Sequence, residues 1–441
     1  LIGVVKYSES NKLKVVWICG FSNEKVRSKL HLVNNPLIDK IRMWAGKQPR
    51  QFYQDFASWI PALIEEFKTF PNVELHVISA HKGMRFPWQS FQIEGIHYHF
   101  FKKDLPFVHY EIRNKHWYGL NPNILYSRLC HKYFIKSIKP DIVNLFGAEG
   151  VIKAVPTLDI KNIPIYLSVQ TVYSNPQRKD YYKPNKLRWE AEIKLHQKVR
   201  YFGSIIRMYN DLILLRNPNA IFFNFIFPTV RPVRYIDAQK KYDFVFFANT
   251  LSDIKGASDA IEALALVKTQ KHNVGLNLTG HVGNEMMQKL KERIEVLGIE
   301  ENVKFTGFFE KQEDMHRHIQ QAKFAILPAK LDAVASTIRE AMFLGLPVVA
   351  YNTSGTPLLN REKQTILLSD IGDIEGLANN MLKLLSNPEI VSEIRLNAMQ
   401  LAMKMYHNEG IAQNLLNNYI AVIDHYHHNI PIPIKQLFIT N

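Results

Sequence analysis

Cysteine is nearly absent from this 441-residue chain, which holds only Cys19 and Cys130. Two thiols cannot build a disulfide framework or a zinc cluster, so a reducing compartment, the cytosol, is the expected setting. Long apolar runs are missing too. The nearest, residues 205–230, is interrupted by Arg207, Asp211, Arg216 and Asn217, so no spanning helix is expected. There is no signal-peptide pattern, and the chain opens on Leu1 rather than Met, so a few native residues are expected to precede it. Acidic residues are scarce in one half only: residues 1–200 carry 31 Lys and Arg against 16 Asp and Glu, whereas the rest is balanced at 24 against 24. That excess accounts for the net charge of +15. It predicts an anionic partner for the first half, whether phosphorylated substrate, acidic membrane surface or nucleic acid, with scattered solvated lysines as the plain alternative.

What is present is ordinary globular material. Hydrophobic residues make up 46% and charged residues 22% of the chain, which excludes disordered, collagen-like and coiled-coil classes. Short apolar runs alternate with amphipathic segments, the pattern of repeated β-α units around a parallel sheet. Strands are expected at residues 14–19, 73–79, 141–146 and 163–169, and then at 242–247, 274–279, 303–305, 323–327 and 347–351. Helices are expected at 60–67, 258–268, 285–297, 312–321, 336–344, 374–385, 388–405 and 410–426, and residues 83–118 follow neither pattern. The stretch from Arg178 to Arg200 is dense in Lys and Arg, with Tyr181, Tyr182 and Trp189 between them, and suits a bilayer headgroup region or a solvated loop and helix.

Ligands of open α/β sheets sit beyond the carboxyl ends of the strands. There the segment LPAKLDAVASTIREAMFLGLPVVAYNTSGTP, residues 327–357, puts Asp332 in a loop after a strand and Glu340 eight residues later. A helix beginning near Ser336 offers free N–H groups at Ser336 and Thr337 to a phosphate, with small side chains around them. An acid near a helix start also serves simply as a dipole partner.

These residues resemble the Glu-x7-Glu signature of family 4 glycosyltransferases, here with Asp332 as the first acid, followed by Glu340-Ala341-Met342 and Gly345-Leu346-Pro347-Val348-Val349-Ala350. Lys255-Gly256 resembles the family's Lys-Gly pair, and Asn249 stands where the family usually has Arg. Thr279-Gly280-His281-Val282-Gly283 is similar to its Gly-x-Gly turn. The run from Asn302 through Gly307 to Phe308 is similar to the stretch facing the nucleotide base. The resemblance is close from about residue 244 to 426 and faint before it. In the first half, Gly20 matches either the glycine turn that approaches the donor phosphate or an ordinary strand end, and Gln170 replaces a common His.

The resemblance implies an α/β protein of the GT-B fold, with two Rossmann-like doubly wound domains facing across a cleft. Its parts are expected at residues 1–235 for the acceptor, 236–409 for the nucleotide sugar, and 410–441 as a helix crossing back to the first domain plus a tail. The implied reaction is retaining transfer of a sugar from a nucleotide diphosphate sugar to an acceptor hydroxyl in cell-envelope polysaccharide assembly (capsule, O-antigen or lipopolysaccharide). Asp332, Glu340 and Lys255 are the implied catalytic residues. Gly20, Asn249, Lys255, Gly280, Gly307, Phe308, Ser336, Thr337 and Glu340 are the implied donor contacts. The implied partners are the nucleotide sugar and a glycan or lipid-linked glycan, with peripheral contact to the cytoplasmic face of an anionic membrane. The losses at Asn249, Asp332 and Gln170 leave slower turnover, compensation or inactivity open, the last making the chain a nucleotide- or glycan-binding scaffold. With no Asp-x-Asp at a strand end, neither metal nor cofactor is expected. His316, His318, His425, His427 and His428 read as surface rather than ligands. Neither a P-loop nor a Gly-x-Ser-x-Gly elbow occurs, two acids on a nucleotide-type domain do not favour hydrolysis, and no nucleic-acid module is recognisable.

Overall fold

The computed structural model describes residues 7–8, 10–33, 40–41, 44, 55–103, 122–180, 183, 185–234 and 239–438. Tyr181 and Tyr182 lie outside the described residues, as do 104–118 and the expected domain boundary at 235/236. The chain divides into two compact units, one of residues 1–228 and 408–441 and one of residues 229–407. The divisions thus fall at Pro228/Thr229 and His407/Asn408, ahead of the expected 235/236 and 409/410.

In the first unit eight strands form one sheet: β1 (Leu13–Ile18), β2 (Val73–His81), β3 (Trp88–Ile93), β4 (Ile96–Lys102), β5 (Ile142–Phe146), β6 (Ile165–Ser168), β7 (Tyr201–Gly203) and β8 (Ile221–Phe223). Their order is β3-β4-β2-β1-β5-β6-β7-β8. β3 alone runs antiparallel, joined to β4 through Glu94 (φ 48°) and Gly95 (φ 81°), the two left-handed positions that a tight hairpin requires. β5 reads IVNLF and is buried at every residue, as a parallel strand covered on both faces must be. The helix Asn408–His428 belongs to this unit. Its Leu415, Tyr419 and Val422 join Trp17, Phe67 and Phe146 in one core, each such side chain contributing roughly 1.5–3 kcal/mol on burial. Asn144 Nδ2 donates to the Tyr419 hydroxyl (2.5 Å), which pairs two polar groups that this packing buries.

The second unit holds β9 (Tyr242–Thr250), β10 (Leu276–His281), β11 (Val303–Gly307), β12 (Ala322–Leu327), β13 (Val348–Tyr351) and β14 (Leu367–Ser369), all parallel. Their order, β11-β10-β9-β12-β13-β14, is the 3-2-1-4-5-6 arrangement of dinucleotide-binding sheets, whose crevice opens between the first and fourth strands. Helices Ala257–Lys268, Asn284–Val296, Gln312–Ile319, Ser336–Phe343, Ile374–Ser386 and Pro388–Met405 connect and cover the strands. No helix among the described residues is long and apolar enough to cross a membrane.

Candidate active site

Chain order reverses between β9 and β12, so the loops after these two strands meet across one crevice. Lys255 follows β9 and Asp332 follows β12, and their side chains form an ion pair, each a little over a third exposed. The loop geometry makes this meeting obligatory. A short 3-10 turn, Asp253–Lys255, ends at Gly256 with φ 84°. A Cβ on Gly256 would stand 2.2 Å from the Pro328 carbonyl oxygen, so only glycine lets the first loop lie against the second. The Lys330 N–H donates to the Ile254 carbonyl (2.9 Å) between the same loops. Lys330 Nζ also pairs with buried Asp259 (2.9 Å), which accepts the Tyr351 hydroxyl at 2.6 Å.

The helix Ser336–Phe343 starts four residues beyond Asp332 and has no side-chain cap, so the N–H groups of Ser336 and Thr337 have no carbonyl one turn back to bond. Thr353 Oγ1 donates to the Ala333 carbonyl (2.8 Å) and ties the loop after β13 against this start. Glu340 lies one turn inside and is buried at 5% exposure. Its Oε2 meets His316 Nε2 at 2.9 Å, and its Oε1 has no hydrogen-bond partner among the described residues.

His316 corrects the reading of that residue as surface: it is 3% exposed. The helix Gln312–Ile319 buries His316 and Ile319, three residues apart on one face, and that spacing was the available signal. Arg339 also escaped notice. Its guanidinium is stacked 5.3 Å over the Tyr406 ring; burial lowers its pKa, while the charges of Tyr406, Glu340 and Asp332 pull it back up. His318 is only half-buried, with Nε2 on Asn277 Oδ1 (2.9 Å), and His425 bonds the Tyr201 hydroxyl through Nδ1 (2.8 Å).

The remaining positions line the same edge of the sheet. Asn249 is exposed near the end of β9. Beside it Gly280, with φ 148°, passes so close that a Cβ would stand 2.1 Å from the Ala248 carbonyl oxygen. Gly307 (φ 88°) closes β11, and the ring of Phe308 after it is half exposed. Lys255, Asp332, Arg339 and Glu340 therefore form the charged centre, with Asn249, Gly280, Gly307 and Phe308 at neighbouring strand ends.

Gly20 lies in the first unit, exposed just past β1, where an added Cβ meets nothing within 4 Å. Gln170 is exposed after β6. The sequence reading missed the turn after β5, where Gly147 (φ 73°) precedes Glu149 and Lys153, whose charged ends are 3.1 Å apart. A cavity of about 370 Å³ in the second unit, lined by Arg231, Arg234, Phe343, Met399 and Met403 among others, adjoins the far end of the Ser336–Phe343 helix and is no part of this centre.

Residues 234–401 match the family model described as glycosyl transferases group 1. The chain is 31% identical over 140 residues to the amylovoran biosynthesis glycosyltransferase AmsK of Erwinia amylovora, covering 30% of this chain and 34% of that protein. It is 23% identical over 132 residues to a 2-deoxystreptamine N-acetyl-D-glucosaminyltransferase of Niallia circulans, again 30% and 34% of the two chains. The matches thus span about a third of the length of these two relatives. Among solved structures, a sucrose-phosphate synthase of Thermosynechococcus elongatus superposes with TM-score 0.67 at 13% identity, over 92% of this chain and 98% of that one. HepE of Anabaena, solved with UDP-glucose, gives 0.59 at 14% over the same shares. The fold is GT-B, and the second unit carries a glycosyl transferases group 1 domain.

Proposed function

We propose that the chain is a retaining, metal-independent glycosyltransferase that moves a sugar from a nucleotide diphosphate sugar to an acceptor hydroxyl in cell-envelope polysaccharide assembly. The observation that carries this reading is the meeting of Lys255 and Asp332 beside the uncapped start of the Ser336–Phe343 helix. Such a site offers a diphosphate one mobile ammonium and a row of backbone N–H groups, and these supply the positive charge that a divalent ion supplies elsewhere. With Asn249 neutral, Lys255 is the cation paired with Asp332 here, and Arg339 lies buried behind the site.

In the reaction the bond from the anomeric carbon to the leaving phosphate breaks, and the acceptor oxygen bonds to that carbon on the same face. The acceptor proton passes to the departing phosphate oxygen, so no side-chain nucleophile is required. Lys255 exchanges Asp332 for the developing phosphate charge, and Asp332 is then free to accept hydroxyls of the donor sugar. Glu340, held through Oε2 by His316, keeps Oε1 for a ribose hydroxyl. The neighbours solved with UDP or UDP-glucose make a uridine diphosphate sugar the first donor to try.

The basic first unit suits a lipid-linked acceptor at an anionic membrane surface. Its helix Pro122–Ile138 leaves Leu125, Leu129 and Tyr133 exposed at four-residue spacing, with Lys132 and Lys136 exposed beside them.

Calorimetric titration with UDP, GDP, ADP and CMP in EDTA tests the reading. One diphosphate is expected to bind at micromolar concentration, and both Lys255→Ala and Glu340→Ala are expected to weaken it tenfold or more. Binding that ignores both substitutions would falsify the site. Binding without turnover of any nucleotide sugar identifies a scaffold instead.

A further inference from the structure

The donor site leaves unused a cluster of side chains on the sheet of the first unit. In the parallel pairing of β2 with β4, His76 stands opposite His97, and Glu74 lies two residues earlier on the same face as His76. One ligand atom from each of Glu74, His76 and His97 comes within 4.8 Å of the other two. The two imidazoles are stacked, with centroids 4.5 Å apart and planes 15° from parallel. His97 makes no hydrogen bond among the described residues, which leaves its ring nitrogens free to ligate. We propose that Glu74, His76 and His97 form a binding site for a divalent transition metal with the preferences of Zn²⁺.

The donor set is two imidazoles and one carboxylate, a combination that holds zinc and leaves further positions to water or to another ligand. Metal bonds of about 2.0–2.2 Å put tetrahedral ligands about 3.3–3.5 Å apart, so side-chain rotations on the order of 1 Å close the set. His76 is buried while Glu74 and His97 are partly exposed, which provides both a rigid anchor and a way in.

The surrounding hydrogen bonds are those that a metal-bound imidazole needs. His76 Nε2 meets Glu74 Oε1 at 2.8 Å, His76 Nδ1 meets His99 Nε2 at 3.0 Å, and His99 Nδ1 meets Ser90 Oγ at 2.9 Å. Without metal, the ionised carboxylate accepts from His76 Nε2, so His99 donates to His76 and the Ser90 hydroxyl donates to His99. With a metal on Nε2 the row reverses: His76 donates to His99 through Nδ1, and His99 donates to Ser90. Each imidazole changes which nitrogen carries its proton, none is gained or lost, and the terminal hydroxyl serves in either direction. No ring nitrogen of His76 or His99 is stranded in either state.

Position separates this site from the reaction. Glu74, His76 and His97 sit toward the amino ends of their strands, whereas Gly20 follows the carboxyl end of β1. A metal here ties β2 to β4 and stabilises the folded unit by mass action, and the metal independence proposed for donor binding is unaffected.

The test uses the whole chain, stripped with EDTA and titrated with Zn²⁺ by calorimetry and with Co²⁺ by visible absorption. One equivalent is expected to bind at micromolar concentration or below. His97→Ala and Glu74→Gln are each expected to weaken it at least tenfold, and a His427→Ala/His428→Ala double variant is expected to leave it unchanged. Equimolar Zn²⁺ should raise the melting temperature of the wild type but not that of His97→Ala. Melting without metal shows whether His97→Ala is folded, and the partly exposed Glu74→Gln keeps the test decisive if it is not. The proposal is overturned by no saturable uptake, by binding that survives both substitutions, or by binding that disappears with the two terminal histidines.

Discussion

Glu340 and His316 sit on different helices, yet Oε2 of one and Nε2 of the other are 2.9 Å apart with both side chains buried. The contact turns an acid beside a helix start into a fixed acceptor whose second oxygen is available. Removing the imidazole leaves a buried carboxylate without its partner, at a cost of about 1–3 kcal/mol. His316→Ala should therefore lower the urea midpoint, and His316→Gln, which keeps an N–H donor, should recover most of the loss. Equal midpoints for the alanine variant and the wild type would show that the contact contributes nothing.

Lys255 and Asp332 make opposite predictions for the two halves of a nucleotide sugar. Lys255→Ala should weaken binding of the free diphosphate at least tenfold, because a point charge at the phosphate is lost. Asp332→Asn releases the same ammonium and should leave diphosphate affinity equal or higher while slowing sugar turnover. Because both side chains are more than a third exposed, neither change should move stability by more than about 1 kcal/mol. Diphosphate titrations of both variants, read beside their melting curves, check the pair.

Gly256 is the backbone device that brings those two residues together. Gly256→Ala puts a methyl group 2.2 Å from the Pro328 carbonyl oxygen at a φ of 84°, so it should cost about 1–3 kcal/mol and displace Lys255. Gly298→Ala is the comparison: its φ is 62° but the added Cβ meets nothing, so it should cost about 1 kcal/mol and spare diphosphate binding. Denaturant midpoints and calorimetry on the two variants separate strain from steric collision.

Acid should destabilise the first unit through His131. Burial holds its pKa down at about 4, against a smaller upward pull from the Ser127 carbonyl that accepts its Nδ1–H. The unfolded chain takes up this proton near pH 6.5. The contribution to stability is thus complete above pH 6.5 and is lost as pH falls from 6.5 toward 4. At full loss one such group accounts for about 3 kcal/mol. Urea midpoints at pH 7.5 and pH 5 should differ less for His131→Asn than for the wild type, and unchanged pH slopes would refute the assignment.

Membrane contact through the helix Pro122–Ile138 predicts a charge-dependent effect. Leu129→Glu and Tyr133→Glu, at 58% and 64% exposure, should each reduce co-sedimentation with vesicles rich in anionic lipid several-fold and leave diphosphate binding intact. Equal sedimentation of wild type and both variants would remove this surface from the acceptor side.

The strands of the second unit were legible because each is a short apolar run ended by polar or small residues, and β9 to β13 all lie where that pattern puts them. β14 was not, since three residues are too few to show a period. The β3–β4 hairpin was missed for another reason: β3 alternates exposed and half-buried residues at a sheet edge, which breaks the β-α rhythm expected of the rest. β7 and β8, three residues each, are hidden in apolar sequence that reads equally well as helix.

Local order along the chain determined the α/β class and the loops that carry Lys255, Asp332 and Glu340, because strands, helix starts and glycine turns depend on residues a few positions apart. Only the tertiary structure decided what those side chains meet. Lys255 reaches Asp332 across 77 positions and Glu340 reaches His316 across 24, while Glu74, His76 and His97 share a face only because β2 pairs with β4. Such contacts follow from strand order and from which helix face turns inward, and the burial energy that selects both is summed over a whole unit rather than written at any one position.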